Sequence, residues 1–93
     1  MEINNYIKKE LIKVNLPCKN RNELFQMMHD EAFKHGYVER DFLEGLLSRE
    51  DVFPTGIKLE NYSVAIPHTE AEYIKEQFIA VIVPEKPVKF KLM

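Results

Sequence analysis

The chain has 93 residues, 45% of them apolar and 30% charged, with only 3 Gly and 5 Pro. This is the composition of an ordinary globular chain with room for one core, and a multidomain enzyme is not expected. Thirteen basic residues against 15 acidic ones leave a formal charge of −2, without the clustered basic excess that a phosphate backbone requires, so nucleic-acid binding is not expected. One cysteine, Cys18, cannot form an internal disulfide, and the start MEINNYIKKELIK has neither the apolar run of a signal peptide nor a spanning segment. A reducing, cytoplasmic setting without membrane insertion is the expectation. No linker composition and no internal repeat divide the chain, so residues 1–93 read as one domain.

The first element, Tyr6 to Val14, mixes apolar and charged residues without a clean period, and is read as a strand in preference to a helical turn. From Arg21 to His35 the residues Leu24, Phe25, Met27, Met28, Ala32 and Phe33 recur at helical spacing. Asn20 and Glu23 stand three apart as an N-cap pair, and Gly36 sits where a left-handed residue usually stops a helix. A second helix is predicted from Glu39 to Glu50, with Phe42, Leu43, Leu46 and Leu47 on its buried side, followed by a turn at Phe53-Pro54-Thr55-Gly56. Tyr62 to Ile66 alternates as a strand and is closed by Pro67, and Thr69 with Glu72 has the spacing of a capping box for a short helix to Lys75. Phe78 to Val83 is a continuous branched apolar run, the pattern of a strand covered on both faces, and Val88, Phe90 and Leu92 alternate with lysines as a half-exposed strand. Strands alternating with helices predict an α/β domain with a mixed sheet flanked by helices. A strand covered on both faces needs sheet neighbours that few remaining residues can supply, so the expectation is either packing against another copy or elements missing from the chain.

Three histidines differ in context. His29 and His35 lie six apart on the first helix, roughly 240° around its axis at about 3.6 residues per turn, a poor arrangement for sharing a metal. Both read as surface or boundary residues, and no metal centre is expected. His68 follows Pro67 at a strand end, the place where open α/β sheets hold reacting groups, and a neutral imidazole attacks an electrophile without a separate base. Backbone N–H groups at the Thr69 helix start would favour an anion there, while Glu70 and Glu72 oppose one. A structural role for a single strand-end histidine stands beside that reading. Arg49, in the last turn of the second helix, either complements the helix dipole or clamps phosphate oxygens with its planar fork. Thr55 and Gly56 offer a hydroxyl and a close backbone approach, which a turn also requires. Cys18 reads as a packing residue.

Arg49-Glu50, then Phe53-Pro54-Thr55-Gly56-Ile57, then Val64-Ala65-Ile66-Pro67-His68 together resemble the active-site region of sugar phosphotransferase-system enzyme IIA domains of the fructose, mannitol and galactitol type. The longer link Lys58 to Ser63 and Phe53-Pro54 directly before Thr55-Gly56 are more similar to galactitol-type members. The resemblance implies a phosphocarrier in which His68 accepts a phosphoryl group from the carrier protein HPr and passes it to a cysteine of a IIB unit. Arg49 would then neutralise phosphoryl oxygens, and Thr55, Gly56 and Thr69 would shape the pocket, with no cofactor. It also implies further strands and helices beyond Phe90, often with a second histidine. This chain ends at Met93, so the family domain is expected to be incomplete. IIA-like modules attached to transcriptional regulators, and an inactive remnant, are the competing readings.

Overall fold

A strand that carries a bulge has no clean sequence period, and the first element is such a strand. In the computed structural model, which describes residues 6–58, 63–69 and 71–92, strand β1 spans Ile7–Leu16 and pairs in parallel with a later strand, β4, over Ile79–Pro84. The register runs Ile7↔Ile79 but then Ile12↔Val81, so β1 advances further than its partner between those points. A second shift lies between Val14 and Leu16, where Asn15 takes φ 53°. Asparagine tolerates the left-handed region better than most side chains, which makes it a suitable residue for this irregularity.

Helix α1 spans Arg21–Lys34. The Asn20 side chain accepts from the Glu23 N–H at 2.8 Å, an orphan donor of the first turn, and the Glu23 carboxylate reaches back past the cap to the Lys19 N–H at 3.2 Å. At the other end Gly36 has φ 76°, its N–H bonds to Phe33 O, and the Tyr37 N–H bonds to Ala32 O, each at 3.0 Å. That pair of bonds closes the helix as a Schellman motif.

Helix α2 spans Phe42–Val52 and begins three residues later than the sequence suggests. The cause is pairing with a downstream segment: Val38 forms an antiparallel bridge with Ile74, and the Glu39 N–H donates to Tyr73 O at 2.8 Å. The Arg21 guanidinium meets Asp51 at 2.8 Å and holds its carboxyl below the usual range, tying the start of α1 to the end of α2. Two short strands follow, β2 at Gly56–Lys58 and β3 at Ser63–Ala65, paired antiparallel with Gly56↔Ala65 and Lys58↔Ser63. The turn reading thus misses β2, and the Tyr62 end of the expected strand lies outside the described residues. The short helix expected after Thr69 is a single 3-10 turn, Ala71–Tyr73.

The class is α/β, as expected, with the parallel and antiparallel pairings divided between two two-stranded sheets. Leu11 on β1 packs with Leu24, Phe25 and Ala32 of α1, Val38, and Phe42 and Leu46 of α2, while Ala80 and Ile82 of β4 close the cluster from the sheet side. Phe25 is fully buried and meets Phe90 edge-on at 5.7 Å. The sequence reading of β4 as covered on both faces does not hold for this chain. Ile12, Val14, Ile79, Val81 and Val83 form an exposed outer face, with Val14 at 65% and Val81 at 41% exposure. Among the described residues, helices cover the inner face only. The expected last strand is not formed either: Val88 and Phe90 are partly buried, and Leu92 makes one parallel bridge to Gly56. Among the described residues no helix is long and apolar enough to cross a membrane.

Candidate functional site

A helical stripe at four-residue spacing runs Phe42, Leu46, Glu50, and all three are buried. A carboxylate at the third place is costly unless donors meet it, because burial strips its water. Glu50, 1% exposed, has two donors on one residue: the Thr55 N–H at 2.8 Å to Oε2 and the Thr55 hydroxyl at 2.9 Å to Oε1. Thr55 is itself 2% exposed. Its hydroxyl proton is committed to Glu50, so its lone pairs are available, and Oγ1 accepts the Ile66 N–H at 3.1 Å.

That bond fixes the residue leaving β3. Ile66 leads into Pro67, whose fixed φ stiffens the chain, and His68 then stands exposed beyond it. The His68 ring turns back, with Nδ1 2.9 Å from Ile66 O. A carbonyl oxygen only accepts, so Nδ1 carries a proton, and in the neutral ring the lone pair is then on Nε2. The structure therefore joins Glu50, Thr55 and His68 through the Ile66 backbone.

Arg49 lies in the last turn of α2, with its guanidinium 4.9 Å from the centre of the Phe53 ring. An open cleft beside it is lined by Gly45, Ser48, Val52, Phe53, Glu72 and Tyr73. Gly45, four residues before Arg49 and on the same helical face, admits the segment after His68: a Cβ there would meet Tyr73 Cε2 at 2.6 Å and Thr69 Oγ1 at 2.9 Å. Thr69 is thus brought against α2 on the face that carries Arg49. Gly56 makes its close approach to the chain itself, since a Cβ would lie 2.5 Å from Lys91 O and its N–H donates to that same oxygen at 3.0 Å.

The other candidates separate from this group. His29 is buried at 8% exposure and not at the surface, because its ring stacks between Phe33 at 5.7 Å and Phe42 at 5.9 Å, each within 12° of parallel. Its four-residue spacing from Phe33 and the approach of α2 produce that burial. His35 lies at the helix end beside Glu31 at 3.3 Å. Cys18 packs against the core, and its thiol is pushed up by burial and by the nearby Glu23 charge. The residue that sequence reasoning left without a role is Glu50. Its signal was present, as an acidic residue on the apolar stripe in a last helical turn, where the macrodipole disfavours negative charge.

The family model described as phosphoenolpyruvate-dependent sugar phosphotransferase system, EIIA 2, matches residues 5–93. The galactitol-specific EIIA component of Escherichia coli strain K12 is 36% identical over 80 residues, which cover 86% of this chain and 53% of that protein. The chain thus spans about half the length of the curated galactitol components it matches. A probable licABCH operon regulator of Bacillus subtilis strain 168 is 28% identical over 95% of this chain and 13% of its own length. The transcriptional regulator ManR of the same organism is 28% identical over 86% of this chain and 12% of its own length.

Proposed function

This chain belongs to the EIIA 2 family of the phosphoenolpyruvate-dependent sugar phosphotransferase system, and we propose that within it His68 is the phosphoryl carrier. The observation that carries this reading is the Nδ1–H bond to Ile66 O, which leaves Nε2 as the nucleophile on a stiff, exposed support. Nε2 attacks the phosphorus of a phosphohistidine on HPr; the new Nε2–P bond forms as the donor's N–P bond breaks, and the donor nitrogen keeps the released electron pair. Positive charge gathers on the His68 ring during the attack. The Nδ1–H bond to the Ile66 carbonyl strengthens with that charge and offsets part of its cost. In the second step a thiolate of a IIB unit forms an S–P bond, and the pair from the broken N–P bond returns to Nε2.

Such transfers need little covalent machinery from the protein, and positioning with charge stabilisation supplies most of the acceleration. Arg49 at the cleft supplies a planar fork for two phosphoryl oxygens. Thr69 adds a hydroxyl from the facing segment. Thr55 and Gly56 act on the pocket from below, Thr55 through Ile66 and Gly56 by admitting the Lys91 carbonyl. The acceptor chemistry calls for no cofactor or metal. The similarity to galactitol-specific components supports a place in galactitol uptake, with HPr and a IIB unit as successive cytoplasmic partners.

The two regulators among the relatives favour one second reading, in which phosphorylation of the same histidine alters an assembly. Phosphorus NMR of the chain after incubation with phosphoenolpyruvate, enzyme I and HPr separates the cases once a galactitol-type IIB unit is added. A phosphohistidine signal of the Nε2 isomer that disappears on adding IIB supports the carrier. A signal that persists with a competent IIB present overturns the carrier in favour of the regulator, and a signal of the Nδ1 isomer contradicts the assignment of the nucleophile.

A further inference from the structure

We infer that Glu50 is a positioning residue for His68, acting through a directed chain of hydrogen bonds that sets which ring nitrogen is free to react; this rests on the reading of His68 as the nucleophile. The direction follows from the chemistry of each link. Glu50 Oε2 accepts the Thr55 N–H and Oε1 accepts the Thr55 hydroxyl, so the hydroxyl proton is committed and Thr55 Oγ1 is left to accept from the Ile66 N–H. Without the carboxylate that hydroxyl is free to rotate and donate elsewhere.

The Ile66 N–H and the Ile66 carbonyl sit on either side of one residue, and the carbonyl belongs to the bond to Pro67, which has no N–H of its own. Holding the Ile66 N–H therefore fixes the residue whose carbonyl receives His68 Nδ1–H at 2.9 Å. Glu50 and Thr55 are almost fully buried, at 1% and 2% exposure, so water competes little for the two bonds between them. Burial also makes the polarity of the chain costly to reverse. Glu50 does not touch the reacting group. It determines that Nε2, and not Nδ1, presents the lone pair.

The test reads the His68 ring directly, in the unphosphorylated chain, by ¹⁵N NMR of the imidazole nitrogens near neutral pH. The unaltered chain is expected to show Nδ1–H as the major tautomer and a slowly exchanging Ile66 amide. Glu50→Gln keeps the shape but places a donor against Thr55, and Thr55→Val removes the hydroxyl. Each is expected to shift the ring toward the Nε2–H tautomer and to slow phosphoryl uptake by about tenfold to a hundredfold, the range that misplacing a reacting group produces. Thr55→Ser, which restores the hydroxyl, is expected to recover the Nδ1–H preference lost in Thr55→Val. A merely structural role would not move the tautomer ratio in a variant that keeps its amide fingerprint.

A folded Glu50→Gln or Thr55→Val with the original ratio overturns the inference. An Ile66 amide that exchanges at the rate of open coil in the unaltered chain overturns it also, whether or not the variants fold. The tautomer is measured without any transfer, so the two claims fail separately. A tautomer shift in folded Glu50→Gln, with an unaltered chain that never takes up phosphate, supports the positioning role and contradicts the carrier reading, while a labelled His68 with no tautomer response in the variants does the reverse.

Discussion

Replacing Gly45 by alanine ordinarily stabilises a helix interior by about 1 kcal/mol, because glycine has more backbone freedom to lose. In α2 the opposite is expected. The added methyl would lie 2.6 and 2.8 Å from two carbons of the Tyr73 ring and 2.9 Å from Thr69 Oγ1, well inside the separation of about 3.5–4.0 Å at which carbon atoms pack. The backbone that carries the ring does not retreat freely, since the Tyr73 carbonyl accepts from the Glu39 N–H and the neighbouring Ile74 bridges to Val38. Overpacking of this kind costs about 1–3 kcal/mol, which exceeds the propensity gain. The net expectation is destabilisation by about 1 kcal/mol, read in urea as a midpoint lowered by about 1 M for a slope of about 1 kcal/mol per M. Far-UV circular dichroism across a urea series measures it. Because Thr69 follows His68 directly, the same variant should also take up phosphoryl groups more slowly. A midpoint raised by the full propensity gain would show that the segment after His68 does not lie against α2, and would refute the placement of Thr69.

Three further outcomes are expected. The Tyr37 hydroxyl donates to Glu10, and this bond pushes the Tyr37 pKa up to about 12 while lowering that of Glu10. Its contribution to folding is thus present below the unfolded tyrosine value of about 10 and is lost as pH rises toward 12, and is lost again at the acid end as pH falls through the lowered value of Glu10. Ultraviolet titration of the chain's 4 tyrosines should show one late transition that Tyr37→Phe removes, and its persistence in the variant would assign it elsewhere. The outer face of β1 and β4 should bind an apolar fluorescent dye, and Val81→Lys at its centre should reduce that signal without lowering the unfolding free energy by more than about 0.5 kcal/mol, the usual effect of a surface change; an unchanged signal would mean the face is covered. Cys18, partly buried and with its thiol pushed up, should react with a disulfide reagent at pH 8 more slowly than a free thiol, and reaction at the free rate would contradict its packing.

Local chemistry made some elements legible and long-range packing concealed others. Helix α1 could be read to within a residue because Asn20, Glu23 and Gly36 each act within one turn, and the structure uses all three as their chemistry suggests. β1 lacked a period because its register slips twice against β4, a fact set by a partner more than sixty residues away. β2 was hidden by the turn signal of Pro54 and Gly56, since Gly56 is itself the first residue of a three-residue strand. The apolar run of β4 correctly signalled a strand, but the number of its covered faces depends on what packs outside it, and in this chain the outer face is open. His29 escaped notice as a buried residue because its burial comes from Phe42 on another helix. Within the site, Pro67 marked His68 plainly, whereas Glu50 lay on an apolar stripe whose third member was read as part of a motif. Its partner Thr55 looked like any turn threonine until the Ile66 N–H was placed against it.

The central claim is that His68 carries the phosphoryl group, and labelled phosphoenolpyruvate with enzyme I and HPr tests it most directly. The chain should acquire label that is stable to alkali and lost in acid, as a phosphoramidate is, and His68→Ala should acquire none while retaining the circular dichroism of the unaltered chain. Label of equal amount in folded His68→Ala, or no label on the folded unaltered chain under conditions where HPr is fully phosphorylated, would contradict it.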